Sequence, residues 1–408
     1  MNVQSLVFFA WLVMTPSATT ADSQTAPIQS HTLPRIGQAV RSPEVQPDGR
    51  VTFRFRAPNA KDVLLIRENA PKLALHKDDR GIWSATTDPI APDFYCYRFV
   101  VDGVALADPA NSMSISVATG GFESILHVPG AASLSWERND TSHGILHCHT
   151  YQSAAIGDTR EFWVYTPPGY DASLRKTYPV LYLLHGVMDD ASAWTTAGRA
   201  HIILDNMIAR HKARPMIMVM PLGYGFPNVP DRLAEQFGDP SSQKKIMDVF
   251  SHSLIDEVIP NVERAYRVKK DRSSRAIAGL SMGGAQALYI GLNHQDRFAW
   301  VGSFSGAFVM YGERLEEWFP ELTLSANPRL HLLWMACGTE DFLLGVNHKC
   351  TEWLKSKDVQ FTAIETRGTH AWQVWRRNLT EFTPLLFRGR RSSRAAGRTN
   401  WILFQPVR

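Results

Sequence analysis

Hydrophobic positions follow two different patterns along the chain, and the pattern changes near residue 144. In "VTFRFRAP", apolar Val51, Phe53 and Phe55 alternate with polar residues, which is the period of a strand with one buried face. The segments "DVLLIRE", "GIWSATT", "FYCYRFVVDG" and "SILHVPG" are also short, rich in β-branched and aromatic residues, and separated by Gly, Pro or Asp. Such spacing is typical of a β-sandwich, so the pattern predicts an all-β domain over residues 45–130.

The second pattern, over residues 144–387, alternates short apolar segments with longer amphipathic ones. We interpret "YPVLYLLHG", "PMIMVMPLG", "RAIAGLS" and "LHLLWMACG" as buried strands and "FSHSLIDEVIPNVERAY" as a helix. Buried strands that alternate with helices are typical of a parallel sheet, and "REFWVYTPPGY" predicts an antiparallel strand on the same sheet. The expected fold class is therefore α/β, with the α/β domain preceded by an all-β sandwich.

The two ends of the chain have neither pattern. The apolar stretch from Leu6 to Met14 is too short for a membrane span and precedes small polar residues, which predicts a signal peptide over residues 1–21 and a secreted or periplasmic protein. Residues 22–44 lack apolar periodicity and are expected to be a linker. Residues 388–408 are interpreted as a basic, disordered tail. No later segment is apolar over the length of a membrane helix, so no membrane partner is expected.

Composition and charge exclude several classes of protein. The 408 residues are 44% hydrophobic and carry a formal net charge of +4, and five arginines in "RGRRSSRAAGR" at the C-terminus exceed that charge. No basic face is visible between residues 50 and 387, which excludes a nucleic-acid partner. The four cysteines, Cys96, Cys148, Cys337 and Cys350, do not make a disulfide scaffold. Free buried thiols are expected, and Cys337 with Cys350 is the one pair to test for a bridge.

A serine between glycines, in "AIAGLSMGGAQAL", is the first candidate for chemistry. Ser281 lies between a predicted buried strand and a predicted helix, where Gly279 and Gly283 would let the two elements approach closely. This arrangement predicts a nucleophile elbow, in which the backbone N–H of Met282 at the helix N-terminus stabilises an oxyanion. The alternative is a structural Gly-Ser-Gly turn.

A nucleophilic serine requires a histidine base and a carboxylate, in the chain order Ser, acid, His. "LHLLWMACGTEDFLL" places Glu340 and Asp341 after an apolar strand, at the sheet edge where ligands bind in such folds. We assign the acid to Asp341 and keep Glu340 as the alternative. In "FTAIETRGTHAWQVW", His370 follows the last predicted strand and is the predicted base.

The loop in "LYLLHGVMDDASAW" is expected to supply the second oxyanion donor, the backbone N–H of Val187, beside Gly186. His185 is expected to pack this loop rather than react. Asp189 and Asp190 are expected to cap a helix, because a hard cation needs more oxygen ligands than this stretch offers. We therefore expect no metal and no cofactor.

The strings "YLLHG", "GLSMGG", "CGTEDFL" and "GTHAWQVWRRNL" resemble the family of esterases that includes feruloyl and acetylxylan esterases, enterochelin esterases and S-formylglutathione hydrolases. The resemblance covers residues 144–387 and includes Trp372 after the histidine. It implies an α/β-hydrolase fold and ester hydrolysis through an acyl-enzyme. By resemblance, the nucleophile is Ser281, the acid Asp341 and the base His370, with Val187 and Met282 as oxyanion donors.

Residues 45–130 resemble the early-set, immunoglobulin-like β-sandwich of the glycogen-binding carbohydrate module, through "VTFRFRAPNAKDVLLI", "GIWSATTDPIAPDFYCYRFVVDG" and "DPAN". In relatives such a module precedes feruloyl-type esterases, which favours a plant cell-wall carbohydrate. Trp83, Tyr95 and Tyr97 would stack on sugar rings or belong to the core. The domain would contact glycan or only form a wall of the active-site cleft, since enterochelin esterases also carry an N-terminal β-domain.

These observations favour a secreted serine carboxylic ester hydrolase, a feruloyl-esterase-like carbohydrate esterase whose partner is a small-molecule or polysaccharide ester. The alternatives are a siderophore or acetylxylan esterase and a non-catalytic carbohydrate-binding protein. An anionic siderophore requires several cationic residues in the cleft, and "NVPDRLAEQFGD" offers only Arg232. Trp194, Tyr224 and Trp372 are predicted to bind substrate in an aromatic pocket instead.

Overall fold

The structure is a computed structural model that describes residues 40–234, 239–308 and 315–388. The expected signal peptide over residues 1–21 lies outside the described residues. So do most of the expected linker and nearly all of the basic tail. Within the part of the chain that the structure describes, no helix is long and apolar enough to cross a membrane.

Residues 44–128 form strands and no helices. The strands are β1 (Glu44–Val45), β2 (Val51–Arg56), β3 (Val63–Arg67), β4 (Leu73–Ala74), β5 (His76–Lys77), β6 (Ile82–Thr86), β7 (Asp93–Val101), β8 (Val104–Leu106), β9 (Ser114–Val117) and β10 (Gly121–Val128). One sheet has the order β1-β2-β6-β5 and the other β4-β3-β7-β10-β9, with β8 paired to β7. Apolar side chains from both sheets form one core, so the two sheets are the layers of a sandwich.

The aromatic side chains considered for sugar stacking lie in this core. Trp83, Tyr95 and Tyr97 are all buried. The indole N–H of Trp83 donates to the carbonyl of Ala57 at 2.8 Å, and the hydroxyl of Tyr95 donates to the carbonyl of Ala91 at 2.8 Å. Strand alternation turns these rings toward the opposite sheet, so of the two alternatives, sugar stacking or core, they belong to the core.

The remaining strands form one sheet of eight, ordered β11-β12-β14-β13-β15-β16-β17-β18. They are β11 (Ile145–Ser153), β12 (Asp158–Thr166), β13 (Val180–Leu184), β14 (Ile217–Pro221), β15 (Arg275–Leu280), β16 (Trp300–Phe304), β17 (Leu332–Gly338) and β18 (Thr362–Thr366). Strands β13 to β18 pair in parallel, and β12 is antiparallel to both β11 and β14. The "REFWVYTPPGY" strand is thus antiparallel as expected, whereas β11 had not been singled out from the sequence.

Helices cover both faces of this sheet. They are α1 (Ala193–Thr196), α2 (Ala200–Ala209), α3 (Val229–Arg232), α4 (Pro240–His252), α5 (Ile259–Ala265), α6 (Met282–Asn293), α7 (Leu315–Trp318), α8 (Leu344–Ser356) and α9 (Trp372–Phe382). A π-helical segment, Ser253–Val258, joins α4 to α5, and short 3₁₀ segments occupy Arg272–Ser274, Leu324–Ala326 and Thr383–Leu385. Helices α2 and α9 pack on one face, and α4, α6 and α8 on the other.

The sandwich and the α/β part share buried contacts. Phe94 and Ile125 of the sandwich belong to the same apolar cluster as Trp375 of α9. Beside them, the Arg376 guanidinium forms an ion pair with Asp93 at 2.7 Å, and both side chains are almost fully buried. The sandwich is therefore packed against the helix that follows His370.

All four cysteines are free thiols. Cys337 lies in β17 and Cys350 in α8, and burial raises the pKa of both thiols. The structure therefore has no Cys337–Cys350 bridge, and the expectation of buried free thiols holds for this pair. Cys148, on β11, is exposed.

Candidate active site

Ser281 occupies a sharp turn between β15 and α6. Its φ is 50° and its ψ is −116°, a strained conformation for a residue with a side chain. Three backbone hydrogen bonds maintain it: the Ser281 N–H donates to Phe304 O at 2.9 Å, and the Ser281 carbonyl accepts from the N–H groups of Ala285 and Ala307 at 3.1 and 2.9 Å. The turn thus holds the hydroxyl at the carboxyl edge of the sheet.

The glycines on either side of Ser281 are required by a close approach of backbones. A Cβ on Gly279 would lie 2.4 Å from the carbonyl oxygen of Gly283. A Cβ on Gly283 would lie 2.5 Å from the carbonyl oxygens of Leu184 and His185. Because these distances are far below van der Waals contact, only glycine fits at either position.

His370 and Asp341 lie beside Ser281 in a chain of hydrogen bonds. Nε2 of His370 is 3.0 Å from Oγ of Ser281, and Nδ1 of His370 is 2.9 and 3.1 Å from the two carboxylate oxygens of Asp341. The Asp341 side chain is fully buried, whereas 17% of the His370 side chain is exposed. Glu340, the alternative acid, is exposed. Of the two adjacent carboxylates, Asp341 is the one that contacts the imidazole.

The environment of Asp341 favours its charged form. Burial raises its pKa, but the hydrogen bond and charge of His370, together with the N–H of Leu343 at 2.8 Å, outweigh burial and hold the pKa below its usual value. An ionised Asp341 accepts the Nδ1–H of His370, which leaves the Nε2 lone pair directed at the Ser281 hydroxyl. The arrangement can therefore remove a proton from Ser281.

Two aromatic rings flank the imidazole. The Phe342 ring centroid is 4.7 Å from that of His370, and the Trp375 centroid is 4.9 Å from it. The loop that carries His370 passes close to the loop that carries Asp341, where a Cβ on Gly338 would lie 2.4 Å from Gly368 O. Packing on both sides limits the orientations of the ring.

The predicted oxyanion donors lie on two segments next to Ser281. Met282 is the first residue of α6, so its N–H is at a helix N-terminus. Val187 lies on the loop after β13 and lines the same cleft as Ser281. A Cβ on the neighbouring Gly186 would be 3.5 Å from the Cβ of Ser281. Both donors are therefore near the serine, and their role in holding an oxyanion stays a prediction.

His185 packs this loop. Its Nδ1–H donates to Gly186 O at 2.7 Å, and its Nε2 accepts the N–H of Gly223 at 2.8 Å. Burial lowers its pKa to about 4, so the ring is neutral at physiological pH and can donate and accept one bond each. His185 thus holds the loop after β13 against the loop after β14.

The acidic pair that follows Val187 binds backbone. Oδ2 of Asp189 accepts the N–H of Gly186 at 3.3 Å, and Oδ1 of Asp190 accepts the N–H and hydroxyl of Ser192 just before α1. Burial raises the pKa of Asp189 to about 8. Across residues 40–234, 239–308 and 315–388, no group of three or more His, Cys, Asp or Glu side chains could hold a metal ion.

A cleft with a volume of about 770 Å³ opens above Ser281 and His370. From the α/β part it is lined by Phe342, Trp372 and Trp375, so Trp372 lies where the sequence predicted. Phe122 of β10 faces the same space from the sandwich. Phe342 could have been found as the aromatic next to the acid, whereas no local signal connects Phe122 to Ser281.

Two predicted substrate-binding residues are not in the cleft. Trp194 and Tyr224 are completely buried. The Trp194 indole donates to Leu184 O at 2.9 Å, and the Tyr224 hydroxyl donates to Asp189 O at 3.0 Å. Both rings support the loops beneath the site, so their assignment to substrate binding is wrong. Proximity in sequence to a site loop does not determine which side of the loop a ring packs against.

The cationic residues of the cleft were also missed. Arg67 and Arg98 of the sandwich line it, whereas Arg232 lies beside Phe226 in a separate depression. These arginines lie on β3 and β7 of the sandwich, and no local feature of the sequence relates those strands to the cleft.

The sheet order, the strained serine and its contacts define the α/β-hydrolase class. Within it, the family model described as "Putative esterase" matches residues 153–386, and the chain belongs to that family.

One curated relative is the "Endo-1,4-beta-xylanase/feruloyl esterase" of Xylanibacter ruminicola, which is 31% identical over 354 residues. The match covers 85% of this chain and 46% of the relative, so the chain spans less than half of that protein. An "Acetyl esterase" of Caldicellulosiruptor saccharolyticus is 22% identical over 229 residues, covering 48% of this chain and 78% of the relative.

Solved structures share the fold. A ferulic acid esterase of Anaeromyces mucronatus has a TM-score of 0.53 and 24% identity, covering 62% of this chain and 93% of its own. The enterobactin esterase of Shigella flexneri has a TM-score of 0.63 and 19% identity, covering 85% of this chain and 96% of its own. The larger coverage requires the second match to extend into the N-terminal sandwich.

Proposed function

We propose that this protein is a serine carboxylic ester hydrolase that acts through an acyl-enzyme. The observation that carries the proposal is the pair of contacts at His370, 3.0 Å to the strained Ser281 hydroxyl and 2.9 Å to the Asp341 carboxylate. Membership of the esterase family supports it.

In the proposed reaction, Ser281 Oγ attacks the ester carbonyl while Nε2 of His370 takes its proton. The N–H groups of Val187 and Met282 stabilise the negative charge on the carbonyl oxygen. The tetrahedral intermediate collapses, His370 returns the proton to the leaving alcohol, and the acyl group stays on Ser281. Water, deprotonated by His370, then attacks the acyl carbonyl. The bond from the acyl carbon to Ser281 Oγ breaks while His370 returns the proton to that oxygen, which releases the acid and restores the serine. Every proton in this reaction is carried by His370 and no electron is transferred to or from the substrate, so the chemistry requires no cofactor.

We infer that the acyl group is aromatic, as in feruloyl esters. The rings of Phe342 and Phe122 are 78% and 61% exposed, which is unusual for large apolar side chains, and both line the cleft. Trp372 and Trp375 add aromatic surface next to His370. A planar aromatic acid would stack on these rings and cover them from water. The name of the Xylanibacter ruminicola relative is consistent with this class.

A plant cell-wall polysaccharide as the alcohol side of the ester, and export through residues 1–21, belong to the same proposal. The polysaccharide is supported by the name of that relative and by the resemblance of residues 45–130 to a carbohydrate module. Sandwich residues such as Arg67, Arg98 and Phe122 line one side of the cleft, which supports a contact between this domain and the alcohol portion of a large ester.

A siderophore ester is the second candidate, because Arg67 and Arg98 line the cleft. The sandwich-spanning match to the enterobactin esterase also favours it. However, Arg98 is ion-paired with Glu123, and Glu68 lines the cleft as well. The cleft is therefore nearly balanced in charge, which is unfavourable for a strongly anionic ligand.

The test is a substrate comparison with the purified protein. We expect kcat/KM to be higher for methyl ferulate than for acetylated xylan or a catecholate trilactone. Ser281→Ala should have the circular dichroism spectrum of the parent protein, and its kcat should be lower by a factor on the order of 10⁶. Activity of Ser281→Ala equal to the parent protein would overturn the hydrolase mechanism, and preference for the trilactone would overturn the aromatic-acyl assignment alone.

A further inference from the structure

The sandwich contacts the segment that carries His370 through two consecutive residues, Glu68 and Asn69, directly after β3. Glu68 is separated from Trp372 by 304 positions along the chain, so only the packing of the two parts brings them together.

Glu68 satisfies the first free N–H group of α9. The N-cap residue of this helix, Ala371, has no side-chain acceptor, and the helix has no acidic residue in its first turn. Oε1 of Glu68 accepts the N–H of Trp372 at 2.8 Å, two residues after His370. The carboxylate thus does what an N-cap side chain normally does, but from another domain.

The second carboxylate oxygen of Glu68 connects the start of α9 to the sandwich. Oε2 of Glu68 accepts Nε2–H of Gln373 at 3.0 Å and the backbone N–H of Cys96 at 3.2 Å. Nε2–H of Gln373 also donates to Phe94 O at 2.9 Å. Both oxygens are therefore engaged, and the carboxylate cannot shift without losing a bond.

Asn69 holds the other side of the histidine. Its side chain accepts a hydrogen bond from the hydroxyl of Thr369, the residue before His370, and donates to Oε1 of Gln373 at 3.1 Å. With Glu68, it contacts residues on both sides of His370. One turn further along α9, Arg376 is anchored by Asp93 and by Phe94 O, both at 2.7 Å.

From this geometry we propose that Glu68 and Asn69 are positioning residues, through which the N-terminal sandwich sets the orientation of His370 between Ser281 and Asp341. The inference rests on the proposed hydrolase function. If the sandwich orients His370, it affects the hydrolysis of every ester, including esters too small to contact the sandwich. A sandwich that only bound glycan would not affect the hydrolysis of such small esters.

The experiment compares Glu68→Ala, Glu68→Gln and Asn69→Gly with Asp88→Asn, an exposed carboxylate of the same domain. Glycine suits position 69 because Asn69 has a φ of 58°, so that variant removes only the side-chain contacts. The substrate is 4-nitrophenyl acetate, whose acyl group is a single acetyl. Activities are normalised to the folded fraction from circular dichroism, at a temperature well below every melting transition.

We expect Glu68→Ala to lower kcat by about 10-fold to 100-fold with little change in KM, because a misplacement on the order of 1 Å costs about this much. Glu68→Gln should have a kcat between those of Glu68→Ala and the parent protein. Its amide oxygen can still accept the N–H of Trp372, but its NH₂ group cannot accept hydrogen bonds from Cys96 and Gln373. Asn69→Gly should show a smaller loss and Asp88→Asn none. The low-field proton resonance of His370 Nδ1–H should shift or broaden in Glu68→Ala.

An active parent protein with unchanged kcat and an unchanged low-field resonance in both Glu68→Ala and Asn69→Gly would overturn the positioning role. A loss of activity that only follows the loss of folded protein would also overturn it. If Glu68→Ala does not fold, Glu68→Gln and Asn69→Gly decide the question by the same readouts. An inactive parent protein would instead refute the hydrolase function itself.

Discussion

Both carboxylate oxygens of Asp341 lie within 3.1 Å of Nδ1 of His370, while the adjacent Glu340 is exposed to solvent. Two acids next to each other in sequence thus have different environments, and only one can orient the imidazole.

We predict that Asp341→Asn lowers kcat by about 10⁴-fold, because an amide can stabilise the wrong tautomer of His370 and cannot balance the imidazolium charge. Glu340→Gln is the matched control and should leave kcat close to that of the parent protein. Steady-state kinetics with 4-nitrophenyl acetate measure both. A large loss in Glu340→Gln with none in Asp341→Asn would reverse the assignment.

Phe342→Ala and Phe122→Ala should lower kcat/KM for methyl ferulate by about 10-fold each, because each ring would lose on the order of 1.5 kcal/mol of apolar contact with the acyl group. The rate with ethyl acetate, whose acyl group has no ring, should change much less in Phe122→Ala, whereas Phe342→Ala should lower it as well, because Phe342 also packs on the His370 ring. Leu324→Ala removes another exposed apolar side chain that does not line the cleft, and should change neither rate. Equal losses on both esters in Phe122→Ala would indicate that this ring does not select the acyl group.

Asp189 predicts a specific pH dependence of stability. Burial raises its pKa from the usual 3.8 to about 8, so the folded protein keeps a proton that the unfolded chain releases. The stabilisation is complete below the unfolded pKa and is lost as the pH rises through the folded pKa. We expect Asp189→Asn, which cannot ionise, to show a flatter dependence of Tm on pH between about pH 5 and 8. Calorimetry across this range tests it, and identical slopes would mean that Asp189 titrates normally.

The turn at Ser281 requires a close approach of two backbones, so we predict that a side chain at position 279 destabilises the protein. Gly279→Ala places a Cβ 2.4 Å from Gly283 O, so we expect the free energy of unfolding to fall by about 1–3 kcal/mol or more. Gly345→Ala, in α8, meets no atom within 4 Å and should stabilise the protein by up to about 1 kcal/mol, since alanine favours helix. Denaturant unfolding of the pair compares the two. A tolerated Gly279→Ala would show that the strand and helix can separate.

Much of the architecture could be predicted from local sequence patterns. Apolar runs such as "YPVLYLLHG" have the composition of buried strands, and the alternation in "VTFRFRAP" is that of a half-buried strand, because side-chain periodicity follows directly from backbone geometry. The serine turn could also be predicted, since the need for glycine at positions 279 and 283 is a local steric property. The packing of the aromatic side chains could not be predicted in this way. Trp194 and Tyr224 were expected to line the pocket, but both are buried beneath it.

By itself, the sequence determined most of the buried strands, although not β11, and the turn at Ser281, because these depend on neighbours a few residues apart. It also indicated the candidate acid and base, since Asp341 and His370 each follow an apolar strand. Only the tertiary structure decided which of two adjacent acids faces His370, which rings line the cleft, and that Glu68 and Asn69 of the sandwich hold the histidine segment. These relationships join residues far apart in the chain, and hydrogen bonds and packing across such separations leave no periodic signal in the sequence.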